Sequence, residues 1–295
     1  MADFGNLTGL EKPLLKLVET VSEGVGVVGN HVFKFDVAKI KRVGEAEAEV
    51  EKNKIIAQAE AQEQAVEVLG RAEKRFALEQ YNKQINLENI LVKSKEDLVG
   101  KVVSEEKVDK DWTMRFLDVA QHVSREELQD ILAKILSGEV QKPGSFSYQT
   151  LDVVKYLSQN HLHAFLRFVA VSTELGVIKF ASSAKKSLEK YDLNFDDYLD
   201  LSSVGLFNQS STLLYDIEVE PLGSKIVNIG TDQYIAQNED KEKSKKFDFG
   251  LFVFSPVGRE LRTLLLGRSK NSKAAEYKAD FVLETEKKGF NVIKA

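Results

Sequence analysis

A run from Asp36 to about Leu98 contains no proline and is dominated by Ala, Glu, Gln and Lys. Such good helix formers predict one long helical element. At about 1.5 Å per residue it would reach roughly 90 Å, several times the width of a small domain. The rest of the chain cannot cover a rod of that length. It must be solvated, pair with a copy of itself, or pack against a partner. Along it Ala57, Ala61, Ala65, Val68, Ala72 and Phe76 form a narrow stripe of mostly small side chains. That pattern suits close helix–helix contact rather than a deep leucine seam. The heptad is imperfect, because the phase of Val43, Val50 and Ala57 continues to Gln64 and Arg71, and Gly70 offers a point of bending. The plainer reading is a solvated helix carrying i,i+4 charge pairs.

With 43% hydrophobic and 29% charged residues over 295 positions, the chain is globular in composition. Once the rod is set aside, enough remains for one or two modest cores. A net charge of -5 provides no general pull toward nucleic acid or anionic lipid. The absence of cysteine excludes disulfides, zinc–thiolate sites, iron–sulfur clusters and thiol nucleophiles. It suits a reducing cytoplasm, which is the expected location. The start, MADFGNLTGLEKPLLKL, lacks the basic-then-apolar order of a secretory signal. No uncharged apolar run of about eighteen residues exists, so no transmembrane helix is expected.

Four segments follow from pattern and punctuation. Residues 1–35 begin with Leu7, Leu10, Leu14, Leu17, Val18 and Val21 at helical spacing, with Thr8 as cap and Pro13 in the first turn. Gly24, Gly26 and Gly29 should interrupt that helix. Residues 36–98 are the rod. Residues 109–180 read as a compact helical domain. In it Trp112, Phe116, Val119 and Ala120 share a face, and Ser124 with Glu127 forms a capping box. That box opens a helix burying Leu128, Ile131, Leu132, Ile135 and Leu136, which Gly138 stops. After Pro143-Gly144, Ser147 caps a helix with Leu151, Val154, Tyr156 and Leu157 inward. Leu162, Phe165, Leu166, Phe168 and Val169 mark another from about Gln159 to Leu175. Residues 190–295 change period. Asn194 and Asp197 open a short helix ending at Gly205, and Tyr215-Ile217-Val219 alternates as a strand. Ile226 to Ile235 and Phe247 to Phe254 suggest two more, with EDKEKSKK as a hairpin loop. Gly258 to Leu266 returns to helix, and Phe281–Leu283 against Phe290–Ile293 reads as a final hairpin.

The block DWTMRFLDVAQHVSREELQDILAKILSGEVQKPGSFSYQTLDVVKYLS, Asp111 to Ser158, resembles a bacterial family catalogued only as a domain of unknown function. Asp111-Trp112, Arg115-Phe116, Glu126 to Gln129, Ala133 to Leu136, Gly138-Glu139, Pro143 to Ser147 and Thr150-Leu151 carry the resemblance. The Gly9-Leu10, Pro13-Leu14 and Lys16-Leu17 pairs and the alanine–glutamate rod also look like it, so it covers most of the first 175 residues. Ile131 stands where that pattern would place a tryptophan. In layout the chain is also similar to the abortive infection alpha family of phage-defence proteins, through Leu201 to Leu206 and Ser255 to Gly258. That layout implies a defence role by analogy. Neither resemblance brings a catalytic residue with it.

Gly24-x-Gly26-x-x-Gly29 matches a dinucleotide fingerprint by letter, but a helix precedes it and no βαβ unit is legible. An apolar hinge is the better reading. Val25, Val27, Val28, Phe33 and Phe35 cluster there, too short to span a bilayer, and could touch a partner or a membrane surface. His161 and His163 lie two apart, which on a helix points them in different directions. They read as helix-start or surface groups, and His31 and His122 stand alone. Asp192, Asp196, Asp197 and Asp200 sit at helix-entry spacing, where capping and charge explain them. Lys243, Lys245 and Lys246 in a loop, with Arg268 and Lys270, would be the phosphate contacts if the C-terminal region were a winged helix.

The expected fold is therefore α+β, mainly α: an amphipathic N-terminal helix, a long exposed stalk, a compact helical domain and a winged-helix-like C-terminal region. Trp112, Phe116, Leu128, Leu132, Pro143, Phe146 and Leu151 should hold the helical domain. The expected function is that of a non-enzymatic, oligomerising interaction protein, acting as a phage-defence sensor or effector. No catalytic residue, cofactor or metal is assigned. Partners would be further copies through the long helix, or a phage or host protein, and nucleic acid is not expected. The alternatives are a winged-helix DNA-binding regulator, or a membrane-peripheral effector using Gly24 to Phe35.

Overall fold

The computed structural model describes residues 12–25, 52–57, 67–181, 183–208 and 214–295. The chain divides into two compact units, Met1–Lys155 and Tyr156–Ala295. The fold class is the expected one, α+β and mainly α.

The first unit is a helical bundle of α1 (Lys12–Val25), α2 (Glu67–Leu98), α3 (Lys110–Ala120), α4 (Glu126–Gln141) and α5 (Tyr148–Tyr156). Residues 52–57 are also helical. In α1, Leu17, Thr20 and Val21 are buried at helical spacing. Gly24 does not interrupt the helix but lies in its last turn. A Cβ there would come 2.6 Å from the Thr113 methyl of α3, so the glycine permits close packing. Gly26, Gly29 and the rest of 26–51 lie outside the described residues.

The long helix is present in α2, but it is not a stalk along its whole length. Ile90, Leu91, Val92, Ser94 and Leu98 are buried. Ile90, Ser94 and Leu98 are four apart and, with Leu91 beside them, form one face, which docks on α4. The Ser94 hydroxyl donates across that contact to the Ala133 carbonyl at 3.2 Å, and Asn86 donates to the Gln121 carbonyl at 2.9 Å. Lys93 pairs with Asp130 and with Glu126. Gly70 falls inside the continuous helix, and residues 36–51 and 58–66 lie outside the described set.

Trp112 and Phe116 stack at 5.4 Å inside the bundle, as their shared face predicts. Asp109 caps α3, accepting from the Trp112 amide at 2.8 Å. The expected capping box at Ser124 does not form. The residue before α4 is Arg125, without a side-chain cap, and Glu126 and Glu127 supply negative charge to the first turn instead. Nor does Gly138 stop α4. The Phe146 ring lies against it, where a Cβ would meet Cε2 at 2.7 Å, and the helix continues to Gln141. Next to Gly138, the buried Glu139 carboxylate accepts from the Gly144 amide at 2.6 Å and the Phe146 amide at 3.0 Å. Trp112 Nε1 donates to the Phe146 carbonyl at 2.8 Å. The Pro143-to-Ser147 turn is thus pinned from two sides. Gly144 has φ of +80°, which only glycine adopts freely. Ser147 then caps α5 as expected, though Tyr156 points outward, at 71% exposure.

The second unit contains α6 (Gln159–Val169), β1 (Gly176–Lys179), α7 (Ala184–Glu189), α8 (Phe195–Ser203), β2 (Leu214–Val219), β3 (Ser224–Ile229), β4 (Asp232–Gln237) and β5 (Lys245–Val253). α9 (Pro256–Leu265), a 3₁₀ turn at Leu266–Arg268, α10 (Ala274–Lys287) and β6 (Asn291–Lys294) follow. The boundary falls inside the 109–180 segment. The reason is that the Phe165 and Phe168 rings of α6 pack edge-on against Phe207, and Phe165 also against Phe254, all in the second unit. Asn194 caps α8 through the Asp196 amide.

The strands form two antiparallel sheets, ordered β1-β5-β2 and β3-β4-β6. Strand β1 has no alternation and escapes the sequence pattern. Residues 226–235 are two strands, not one. In the second sheet Ile226 faces Ile235, which faces Ile293. The segment 238–244 joins β4 of one sheet to β5 of the other, so it is no hairpin loop. Buried Asn238 fastens it, donating to the carbonyls of Val219, Glu220 and Lys243 at 3.1, 3.1 and 2.8 Å. Phe281–Leu283 lie in α10, not in a hairpin. Tyr277, Phe281 and Thr285 are its buried face at spacings of four, a helical period.

Replacing Glu139 by Ala leaves the Gly144 and Phe146 amides without their acceptor. It should cost about 2–5 kcal/mol in urea unfolding, and Gln, which keeps one acceptor, should cost less. Gly258 of α9 lies so near β-side backbone that a Cβ would be 2.1 Å from the Leu206 carbonyl oxygen. Gly258→Ala should therefore destabilise by about 1–3 kcal/mol or more, read as a lowered Tm, although alanine is the better helix former.

Candidate functional site

The first half of α2 differs from its second half in one respect. Val68 is 71% exposed, Leu69 54% and Phe76 63%. Val68, Ala72 and Phe76 are four apart and share a face, with Leu69 beside them. A stripe of this kind cannot hold a proton or a metal, but it can be buried. Ala57, at the end of the 52–57 helix, is also exposed. Ala61 and Ala65 lie outside the described residues. Flanking the stripe, Arg71, Lys74, Arg75, Leu78, Glu79 and Asn82 line a shallow groove of about 640 Å³ along the same helix. Lys83 bonds Glu79 at 2.7 Å and holds its carboxyl below the usual range. Helical propensity and such pairs support the solvated turns, and the docked second half nucleates them.

A second concavity, about 560 Å³, lies beside the Pro143-to-Ser147 turn and includes Asp109, Trp112, Glu139 and Tyr148. Its polar groups serve one another. The Tyr148 hydroxyl donates to Asp109 at 2.7 Å, and this bond, with the Trp112 amide, holds the Asp109 carboxyl below its ordinary range. Arg115 bonds Asp152 through two nitrogens at 3.1 and 2.7 Å. Sequence reasoning did not single out Glu139 or Asp109. Glu139 entered only through the Gly138-Glu139 pair of the family resemblance, and Asp109, three residues before Trp112, carried no signal beyond its place ahead of the helix.

The remaining candidates are dispersed. Val25 ends α1, while Val27, Val28, Phe33 and Phe35 lie outside the described residues. Lys243 lies in a turn organised by Asp240, which accepts from its amide at 3.1 Å. Lys245 donates to the Gly289 carbonyl at 2.9 Å, and Lys246 pairs with Asp216. Arg268 closes the 3₁₀ turn and Lys270 follows it. His161 completes a capping box with Ser158: its amide donates to Ser158 Oγ at 3.1 Å, and its Nδ1 accepts from the Ser158 amide at 3.2 Å. His163 is exposed. Asp197 pairs with Arg167, and Asp192 accepts from the Ser272 hydroxyl at 2.9 Å. Among the described residues no three His, Asp or Glu side chains are grouped to hold a metal ion. No helix among them is long and apolar enough to cross a membrane.

No curated protein and no solved structure matches the chain. A family model described as "Protein of unknown function (DUF2806)" matches residues 70–281. The match takes in the Trp112, Glu139 and Pro143-to-Ser147 block and extends through the second unit to α10. The N-terminal segment and the rod before residue 70 fall outside it. A match over well over half of its length places the chain in the DUF2806 family of proteins of unknown function.

Proposed function

We propose that this protein is a non-enzymatic interaction protein that self-associates through the solvated half of α2. The observation that carries the reading is the exposure of Val68, Leu69 and Phe76 on a helix whose other end is fixed in a core. Leaving several large apolar side chains in water on a rigid element is unfavourable by roughly 1.5–3 kcal/mol for each side chain that could be buried. Ala72 in their midst lets a second helix approach closely, and Arg71 and Arg75, four apart along one flank of the stripe, can meet carboxylates of that helix as flanking positions do in coiled coils. A copy of the same helix supplies both small and large residues in one register. The setting we propose for that assembly, by analogy of sequence layout alone, is phage defence in the bacterial cytoplasm.

Light scattering on the full chain should give a multiple of 33.1 kDa. The double variant Val68→Glu/Phe76→Glu should return the single-chain mass at low micromolar concentration. Its urea midpoint should be essentially unchanged, since exposed substitutions of this kind stay within about 0.5 kcal/mol. A wild-type chain that is monomeric at high micromolar concentration, or a variant that assembles equally, would overturn the reading. Deleting everything before Lys101 is no substitute for these variants. It would strip Ile90, Leu91 and Leu98 from the core and should leave the first unit without cooperative unfolding.

A further inference from the structure

The outer face of the β3-β4-β6 sheet carries a row of three isoleucines, one from each strand. Ile226 faces Ile235, and Ile235 faces Ile293, in consecutive cross-strand pairs. Directly opposed residues lie on the same side of a sheet, so the three form one continuous ridge. Ile226 is 54% exposed and Ile293 45%. The inner face of the same strands is the ordinary core side, with Val227, Ile229, Tyr234 and Ala236 buried. Two residues along each strand from the ridge, the outer side chains are those of Ser224, Asn228, Gln233, Gln237, Asn291 and Ala295, whose amide donates to the Gln233 carbonyl. None carries a charge, in a chain where 29% of residues do. Carboxylate side chains bond this border at two opposite corners, where Glu174 accepts from Asn228 at 3.2 Å and Glu239 accepts from Asn291 at 2.8 Å.

We infer that this face is a contact between two copies of the chain, sheet against sheet, independent of α2. An occupant with charges opposite the ridge would lose their hydration without gaining a counter-ion. The face therefore selects a surface that is apolar at its centre and uncharged around it. The same face on a second copy meets that description. Side-chain amides both donate and accept, so a border of Asn and Gln is complementary to itself under a two-fold axis, as an isologous contact requires. A two-fold axis midway between the two faces, opposite Ile235, lays one ridge along the other at the usual sheet spacing of about 10 Å. The ridge spans only two strand intervals, about 10 Å, so the contact is small beside a standard interface and weak on its own.

The chain has no cysteine, which makes the test clean. In the full chain, Ile235→Cys treated with a short bis-maleimide at micromolar concentration should give covalent dimer. A thiol held at a contact meets its mate at an effective concentration on the order of millimolar. The rate should therefore exceed that of Leu283→Cys by at least about ten-fold. Leu283 is 48% exposed and lies on α10, the helix whose Phe281 packs against Tyr234 on the inner face. Adding Ile226→Lys and Ile293→Lys should abolish the excess while circular dichroism remains unchanged. The excess should persist in the Val68→Glu/Phe76→Glu background, which separates this contact from helix pairing. Equal rates for the two cysteine variants, or an excess insensitive to the two lysines, would overturn the inference. Loss of the excess in the Glu background would overturn its independence from α2.

Discussion

The docking of Ile90, Leu91, Ser94 and Leu98 on α4 is the contact on which the first unit depends. It supplies the core for α2, and α2 in turn forms one wall of the bundle. Because the helix is continuous through that contact, its earlier turns inherit a fixed direction and phase without packing of their own. A free helix of their length would be marginal in water. The solvated turns are therefore ordered by an interaction several turns away, and the apolar stripe is presented on a rigid support rather than a tether.

The second unit is held differently. Its centre is a mesh of rings in which Phe165 and Phe168 meet Phe207, while Tyr198 meets both Phe207 and Phe252. Edge-to-face rings of this kind fix mutual orientation as well as burying area. A second group joins Phe180, Tyr191 and Tyr277, whose hydroxyl both accepts from the Ile178 amide at 2.7 Å and donates to the Ile178 carbonyl at 3.2 Å. Burial raises the Tyr277 pKa well above the ordinary phenol value. The hydroxyl stays protonated there and so ties α10 to strand β1.

Helical faces were the most legible feature of the sequence, because burial of Trp112, Phe116, Leu132, Leu151 and Phe165 follows directly from a period of 3.6. Local side-chain caps at Ser147 and Asn194 were equally readable. What escaped reading shares a physical cause: a distant partner decides it. Gly138 looks like a stop until Phe146 covers it. Glu139 looks like surface charge until the Gly144 and Phe146 amides reach it. Phe281–Leu283 look like a strand until Tyr277 and Thr285 set the helical face. The isoleucine ridge was invisible for the same reason, since its three members come from strands that the alternation pattern merged or mispaired. The exposed stripe on α2 was legible, but the point at which the helix becomes core was not.

The unbroken path of α2 from Phe76 to Leu98 also sets a rule about length. Each residue turns an α-helix by about 100°, so one residue inserted between Lys83 and Ile90 would swing the stripe to another side of the bundle. Seven inserted residues would return it to within about 20° of its original heading. Spacing in this stretch is thus as consequential as side-chain identity, and change there is tolerable only in steps near whole turns, such as seven or eleven residues.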